Sequence, residues 1–167
     1  MNPISIESNP VKSIIQTVSD FPVCSYEAGT VIIEEGTRTN ALYILKTGKV
    51  SIFKGSIPIT INATPGAVFG EISILMEVNH SATVKAVEKT ELHRIQDPLS
   101  YLESHPKLIL HISKILAERV FAMTTYLADL KKQYKGNNDH MEMVDEVLEA
   151  LLHKQPRKIH KSIRPQP

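Results

Sequence analysis

Hydrophobic and polar positions follow three different patterns along this chain, and each pattern predicts its own kind of element. After the helix-start signal Asn9-Pro10, residues 10–20 space their apolar side chains three and four positions apart, which predicts a short amphipathic helix. Residues 22–95 instead carry short β-rich runs between turn residues, and many short strands at this spacing favour a β-roll or jelly-roll-like barrel. The strongest strand signals are at 31–33, 41–45, 50–53, 57–61 and 83–87.

A long helix follows the β-rich region. Pro106 suits the first helical position, and residues 107–135 contain neither proline nor glycine. Their apolar side chains recur in two columns with a period of seven, which is typical of the seam between paired helices. We expect the first turns to pack on the barrel and residues 109–134 to form a homodimer interface; packing of this whole face on the barrel is the alternative. The columns are Ile109, Leu116, Met123 and Leu130, and Ser113, Val120, Leu127 and Tyr134.

The segments after the long helix differ from it in composition. Gly136-Asn137-Asn138 ends it, and a further helix is predicted before Pro156. Residues 154–167 carry five basic side chains and no acidic one, which predicts a disordered, solvated tail; contact with nucleic-acid phosphates or an acidic protein is the alternative. The predicted layout is an N-terminal helix at 1–21, the β-roll at 22–104, the long helix at 105–135, a C-terminal helix at 136–154 and a basic tail at 155–167.

Composition narrows the class of protein. The apolar share of 42% is sufficient for an ordinary core, and without tryptophan this core must consist mainly of Ile, Val and Leu. The lone cysteine, Cys24, and the absence of an apolar leader or membrane-spanning run predict a cytoplasmic protein without membrane contact. The sequence has no nucleophile-elbow motif, no Walker phosphate loop and no cysteine-rich metal pattern, so we expect no enzyme, no catalytic residues, no metal and no cofactor.

The strongest local signal is the stretch 69–83, which we call the cassette. It begins with Phe69-Gly70-Glu71-Ile72-Ser73 and, nine residues after the glutamate, continues with His80-Ser81-Ala82-Thr83. This stretch resembles the phosphate-binding cassette of the cyclic-nucleotide-binding domain family, which includes catabolite activator proteins and protein kinase A regulatory subunits. Segments 26–36, 41–50 and 63–66 resemble the opening strand, the hairpin and the lead-in of that family. The resemblance implies a mainly β fold with flanking helices: a cyclic-nucleotide-binding β-roll followed by a long C-terminal helix.

The resemblance also implies roles for individual residues in binding cyclic AMP, cyclic GMP or a related small anionic ligand. Glu71 would accept a hydrogen bond from the ribose 2′-hydroxyl. Ser81 and the backbone N–H of Ala82 would contact the phosphate. On the long helix, Thr124 keeps a hydroxyl where the catabolite-activator branch contacts the base, whereas Met123 does not and is predicted to be a dimer contact. The full set of predicted ligand contacts is Phe69, Gly70, Glu71, Ile72, Ser73, His80, Ser81, Ala82, Thr83 and Thr124.

The chain departs from the family at His80, which stands where the family has an arginine. A guanidinium is permanently charged and grips two phosphate oxygens, whereas histidine is mostly neutral at pH 7, so the change could cost ~2–5 kcal/mol of binding. In one hypothesis the pocket still binds a cyclic nucleotide, the phosphate holds His80 protonated, and binding tightens near pH 6. In the other, the pocket is degenerate, His80 is an ordinary surface residue, and the protein is a nucleotide-independent scaffold. Retention of Glu71 and Ser81 favours the first hypothesis.

The expected output is regulatory. We expect a non-enzymatic sensor in which the ligand shifts the C-terminal helices between two arrangements and so signals to a protein effector. Family members that regulate transcription continue into a helix-turn-helix module, and this chain ends before a recognition helix. Sequence-specific DNA binding is therefore not expected.

Overall fold

In the computed structural model of this chain, residues 10–133 and 138–153 are described, with side chains described at 14–133 and 144–151. The predicted basic tail lies outside the described residues. The strands are β1 (Val23–Tyr26), β2 (Val31–Ile33), β3 (Ala41–Thr47), β4 (Val50–Lys54), β5 (Ile57–Asn62), β6 (Val68–Phe69), β7 (Thr83–Ala86) and β8 (Thr90–Gln96). The helices are α1 (Pro10–Thr17), α2 (Glu71–Met76), α3 (Leu99–Ser104), α4 (Pro106–Gln133) and α5 (Asn138–His153).

The strands form two antiparallel sheets. One has the order β1-β8-β3-β6 and the other β2-β7-β4-β5. Strand β3 is a nearly continuous apolar run because it lies between β8 and β6 and is buried along most of its length. Strand β5 lies at a sheet edge and is exposed along nearly its whole length. The predicted mainly β fold with flanking helices is confirmed.

The core lies among these sheets and consists mainly of aliphatic side chains, as the composition predicted. Both sheets contribute, since Leu45 of β3 and Val50 of β4 are fully buried. Phe69 at the end of β6 joins the same cluster. The cassette therefore begins inside the core, and its first turn is fixed by packing.

The chain divides into two compact units, Met1–Ser113 and Lys114–Pro167, and the division falls within α4. In the first unit, Leu108 and Ile112 of α4 are buried, and Nε2 of His111 lies 3.0 Å from the carbonyl oxygen of Gly66. The first turns of the long helix thus pack on the β-roll, as expected.

The second unit contains the rest of α4 together with α5. Lys131 of α4 forms an ion pair with Asp145 of α5. Several large apolar side chains of α4 remain exposed, and Phe121 is the most exposed of them at 75%. Within the two described stretches, none of the helices is both long enough and apolar enough to cross a bilayer.

Candidate functional site

The turn between β6 and α2 is built on a glycine. Gly70 has a backbone φ of +88°, and a Cβ atom at this position would lie 2.7 Å from the carbonyl oxygen of Ala41 on β3. Glycine alone meets both constraints without strain or displacement. This close approach holds the start of α2 against β3 and so fixes the position of Glu71, the first residue of that helix.

Glu71 and His80 are brought close together, and both are buried. Glu71 is 3% exposed and His80 is 5% exposed. Burial lowers the pKa of His80, and the negative charge of Glu71 opposes this shift without cancelling it. Glu71 and His80 therefore lie in the same poorly solvated part of the cassette. The imidazole of His80 is neutral at pH 7.

The loop that connects β2 to β3 covers His80. The backbone N–H of Thr39 donates to Nε2 of His80 at 3.3 Å, and the Thr39 hydroxyl lies 2.9 Å from the same nitrogen. The backbone of His80 adds two hydrogen bonds to this loop, donating to Thr37 and accepting from Gly36. Since a backbone N–H can only donate, we assign Nε2 as the acceptor and place the ring proton on Nδ1. The hypothesis that His80 is an ordinary surface residue is wrong, because this loop shields it from solvent.

Two predicted cassette residues use their hydroxyl groups to shape the site. The hydroxyl of Ser73 donates to the carbonyl oxygen of Val78 at 2.5 Å and so closes the turn that follows α2. The Thr83 hydroxyl accepts from the backbone N–H of Glu35 at 3.0 Å and so ties β7 to the end of β2. Both hydroxyl groups therefore make hydrogen bonds within the protein.

The other predicted cassette residues differ in exposure. Phe69 is buried in the core and Ile72 is half-buried, so their part in the site is to position the backbone around Gly70. Ser81 is exposed and Ala82 is half-buried just ahead of β7. Of this group, Ser81 is the residue most accessible to solvent and to a ligand.

Thr124 belongs to the second compact unit, in the part of α4 beyond residue 113. Its hydroxyl donates to the carbonyl oxygen of Val120, one helical turn earlier, at 2.8 Å. Its neighbour Met123 is an exposed side chain. The predicted contact of Thr124 with a base stays a prediction.

Lys54 is a charged residue beside the cassette that the sequence analysis did not predict as a ligand contact. Nζ of Lys54 lies 2.7 Å from the carbonyl oxygen of Ser81 and 2.5 Å from Oε1 of Glu35. The other carboxylate oxygen of Glu35 accepts from the backbone N–H of Gly55 at 2.7 Å. The hydrogen bond from Gly55, aided by the bond from Lys54, holds the pKa of Glu35 below its usual value. Lys54 is 27 positions before Ser81 in the chain, and the pairing of β4 with β7 brings the two together.

The arrangement suits binding of a small polar ligand. Glu71 supplies a carboxylate, and Ser81 supplies an exposed hydroxyl on a residue whose backbone carbonyl oxygen accepts from Lys54. Such a combination fits a ligand that carries both hydroxyl groups and an anionic group. Within residues 10–133 and 138–153, His, Cys, Asp and Glu form no group of three or more that could hold a metal ion.

Comparison with known proteins identifies the family of this region. Residues 23–98 match the family model of the cyclic nucleotide-binding domain. They belong to the cyclic nucleotide-binding domain family. The region of this chain that matches the family model runs from β1 through β8 and includes the whole cassette.

Similar proteins carry this domain in different contexts. The cyclic AMP receptor protein of Thermus thermophilus is 34% identical over 101 residues, which are 57% of this chain and 47% of that protein. A lysophospholipase of Chaetomium globosum is 32% identical over 102 residues, which are 58% of this chain and 7% of that protein. The crystal structure of the Thermus thermophilus catabolite activator protein superposes with a TM-score of 0.62 at 28% identity and covers 73% of this chain and 63% of that chain. The present chain thus spans less than two thirds of each of these relatives.

Proposed function

We propose that this cyclic nucleotide-binding domain binds a cyclic nucleotide and serves as a non-catalytic sensor. The observation that carries the proposal is the burial of Glu71 within the cassette. Glu71 begins α2 directly after the turn at Gly70, and its burial holds the carboxylate in one place within the cassette. In our proposal Glu71 accepts a hydrogen bond from the ribose 2′-hydroxyl. The likeness to a protein named as a cyclic AMP receptor makes cyclic AMP the first ligand to test.

The phosphate would lie against the reachable segment of the cassette. Ser81 is exposed and can donate its hydroxyl, and the backbone N–H of Ala82 follows directly in the chain. His80 would contribute as a neutral imidazole, or as an imidazolium if the phosphate raises its pKa. The second case requires Nε2 to give up the hydrogen bond that it accepts from Thr39.

The sensor would signal through its C-terminal helices. A ligand shifts an equilibrium only by its different affinity for two arrangements, and α4 is the element that continues from the β-roll into the second unit. We propose that α4 also pairs with a second copy, because it exposes large apolar side chains such as Phe121 and Met123. A protein effector would then respond to the rearranged helices.

A nucleotide-independent scaffold with the same fold is the second candidate. The observation that favours it is the hydrogen bond from the Thr39 backbone to His80, which leaves an acceptor where the family has a cation. In this case the α4 surface would bind its partners whether or not a nucleotide is present.

Calorimetric titration separates the two candidates. Cyclic AMP, cyclic GMP and cyclic di-GMP are titrated at pH 6 and pH 7.5 into the wild-type chain, into Glu71→Gln and into the control Glu77→Gln. Glu77 is an exposed glutamate at the end of α2, so its substitution makes the same change of charge outside the buried site. Sensor function predicts binding that Glu71→Gln weakens, because a neutral amide oxygen is a poorer acceptor than a carboxylate, and that Glu77→Gln preserves. No heat from any of the three nucleotides up to millimolar concentration would reject the sensor in favour of the scaffold.

A further inference from the structure

A basic side chain lies beside the cassette, although it does not come from residue 80. Lys54 is the last residue of β4, and its ammonium group donates to the carbonyl oxygen of Ser81 at 2.7 Å. Phe53, the residue before it, pairs with Thr83 of β7. The backbone register therefore places Lys54 opposite the segment that the proposed phosphate would contact.

We propose that Lys54 supplies the cationic contact to the ligand's phosphate and that Glu35 competes with the phosphate for this lysine. The inference rests on the proposed function, because it assigns a residue to the same site. In this structure, Nζ of Lys54 lies 2.5 Å from Oε1 of Glu35. On binding, its ammonium group exchanges that carboxylate for the phosphate and keeps its position near Ser81.

The side chain of Lys54 is free to make this exchange. It is 58% exposed, and a lysine stem of four carbons can redirect its ammonium group by rotating without moving the backbone. Glu35 is held more firmly, since its side chain is 28% exposed and its second oxygen accepts from the backbone N–H of Gly55. Glu35 therefore stays in place while Lys54 changes partner.

Glu35 is ionised at neutral pH, so its carboxylate would compete with a phosphate for Lys54. The hydrogen bond from Gly55 and the contact with Lys54 lower the pKa of Glu35, so the carboxylate is charged at neutral pH. A nucleotide phosphate must then replace an existing anion rather than meet an unpaired cation. Removing the charge of Glu35 should accordingly strengthen phosphate binding.

Another cation, Arg38 in the loop that covers His80, contacts the opposite end of α2. Arg38 donates to the carbonyl oxygen of Glu77 at 3.2 Å, at the residue that follows the last turn of the helix. Glu71 begins the helix at its other end. The ammonium group of Lys54, by contrast, donates directly to the carbonyl oxygen of Ser81.

The test measures the dissociation constant of cyclic AMP, by calorimetry on the full chain, for Lys54→Met, Lys54→Arg and Glu35→Gln. Loss of a charge-assisted contact predicts about tenfold weaker binding for Lys54→Met. Lys54→Arg should restore most of the affinity, and Glu35→Gln should tighten binding. Binding to Lys54→Met should also respond less to added salt than binding to the wild type, because one ionic contact is gone.

Lys49 and Glu88 provide a matched control. They form an exposed ion pair outside the cassette, in which Nζ of Lys49 lies 3.8 Å from Oε2 of Glu88. Lys49→Met and Glu88→Gln make the same changes of charge and should leave the affinity unchanged. If the wild type binds and Lys54→Met binds equally well, or if Lys49→Met weakens binding as much, Lys54 is not the phosphate contact. If the wild type and all variants bind no nucleotide, the proposed function fails together with this inference.

Discussion

Replacing Gly70 by alanine tests the close approach that positions the cassette. An alanine with φ near +88° sits in the left-handed region, which costs ~1–2 kcal/mol. Its Cβ would also lie 2.7 Å from the carbonyl oxygen of Ala41, and this oxygen belongs to a buried central strand that cannot move easily. Forcing an extra carbon into packed surroundings typically costs ~1–3 kcal/mol. Gly70→Ala should therefore lower the free energy of unfolding by roughly 2–5 kcal/mol.

Gly36 allows the two contributions to be separated. Its φ is +80°, but a Cβ there would meet nothing within 4 Å. Gly36→Ala should therefore show only the conformational cost of ~1–2 kcal/mol. Both variants are measured by urea denaturation followed by far-ultraviolet circular dichroism, because the chain has no tryptophan. Equal losses in the two variants would show that the approach to Ala41 is not tight, and the reasoning about the cassette turn would fail.

Two further predictions concern the buried histidine and the exposed helix. Burial lowers the pKa of His80 below the unfolded value of 6.5, so its neutral form stabilises the fold above that pH and stability falls as the pH drops below it. In denaturation curves from pH 7.5 to 5, His80→Gln should flatten this decline, since its amide oxygen still accepts from Thr39; an unchanged slope would contradict the assignment. Phe121→Glu should convert a dimer to a monomer in sedimentation experiments, while Ile57→Glu, at an exposed site on β5, should not; a monomeric wild type would refute pairing through α4.

The fold was largely predictable because turn glycines and β-branched runs mark most strands. Strand β8 was not among the strong signals, and its position explains the failure. It lies between β1 and β3, yet its sequence reads as mostly polar. Thr90 and His93 are buried there, and Nδ1 of His93 lies 3.2 Å from the carbonyl oxygen of Phe21. A strand that carries polar residues at buried positions has no simple alternating pattern of polar and apolar residues to detect.

The candidate site was predictable where it is local and unpredictable where it depends on distant segments. The positions of Gly70 and Glu71 follow from one turn and the helix behind it. The burial of His80 depends on the loop before β3, about 40 positions earlier in the chain. The contact between Lys54 and Ser81 depends on the pairing of β4 with β7. Sequence patterns report local periodicity, so they carried no signal for either long-range contact.

The Thr39–His80 contact and the Lys54–Ser81 contact can be related through the charge that each brings to the cassette. At position 80 the protein presents a backbone N–H from Thr39, which needs an acceptor. Neutral histidine provides one, whereas arginine has only donors and would leave that N–H without a partner in a buried place. The position therefore favours a neutral acceptor over a cation. In the proposed complex, the positive charge beside the phosphate comes from a neighbouring element. Lys54 contacts the cassette from the end of β4, where its side chain is largely exposed.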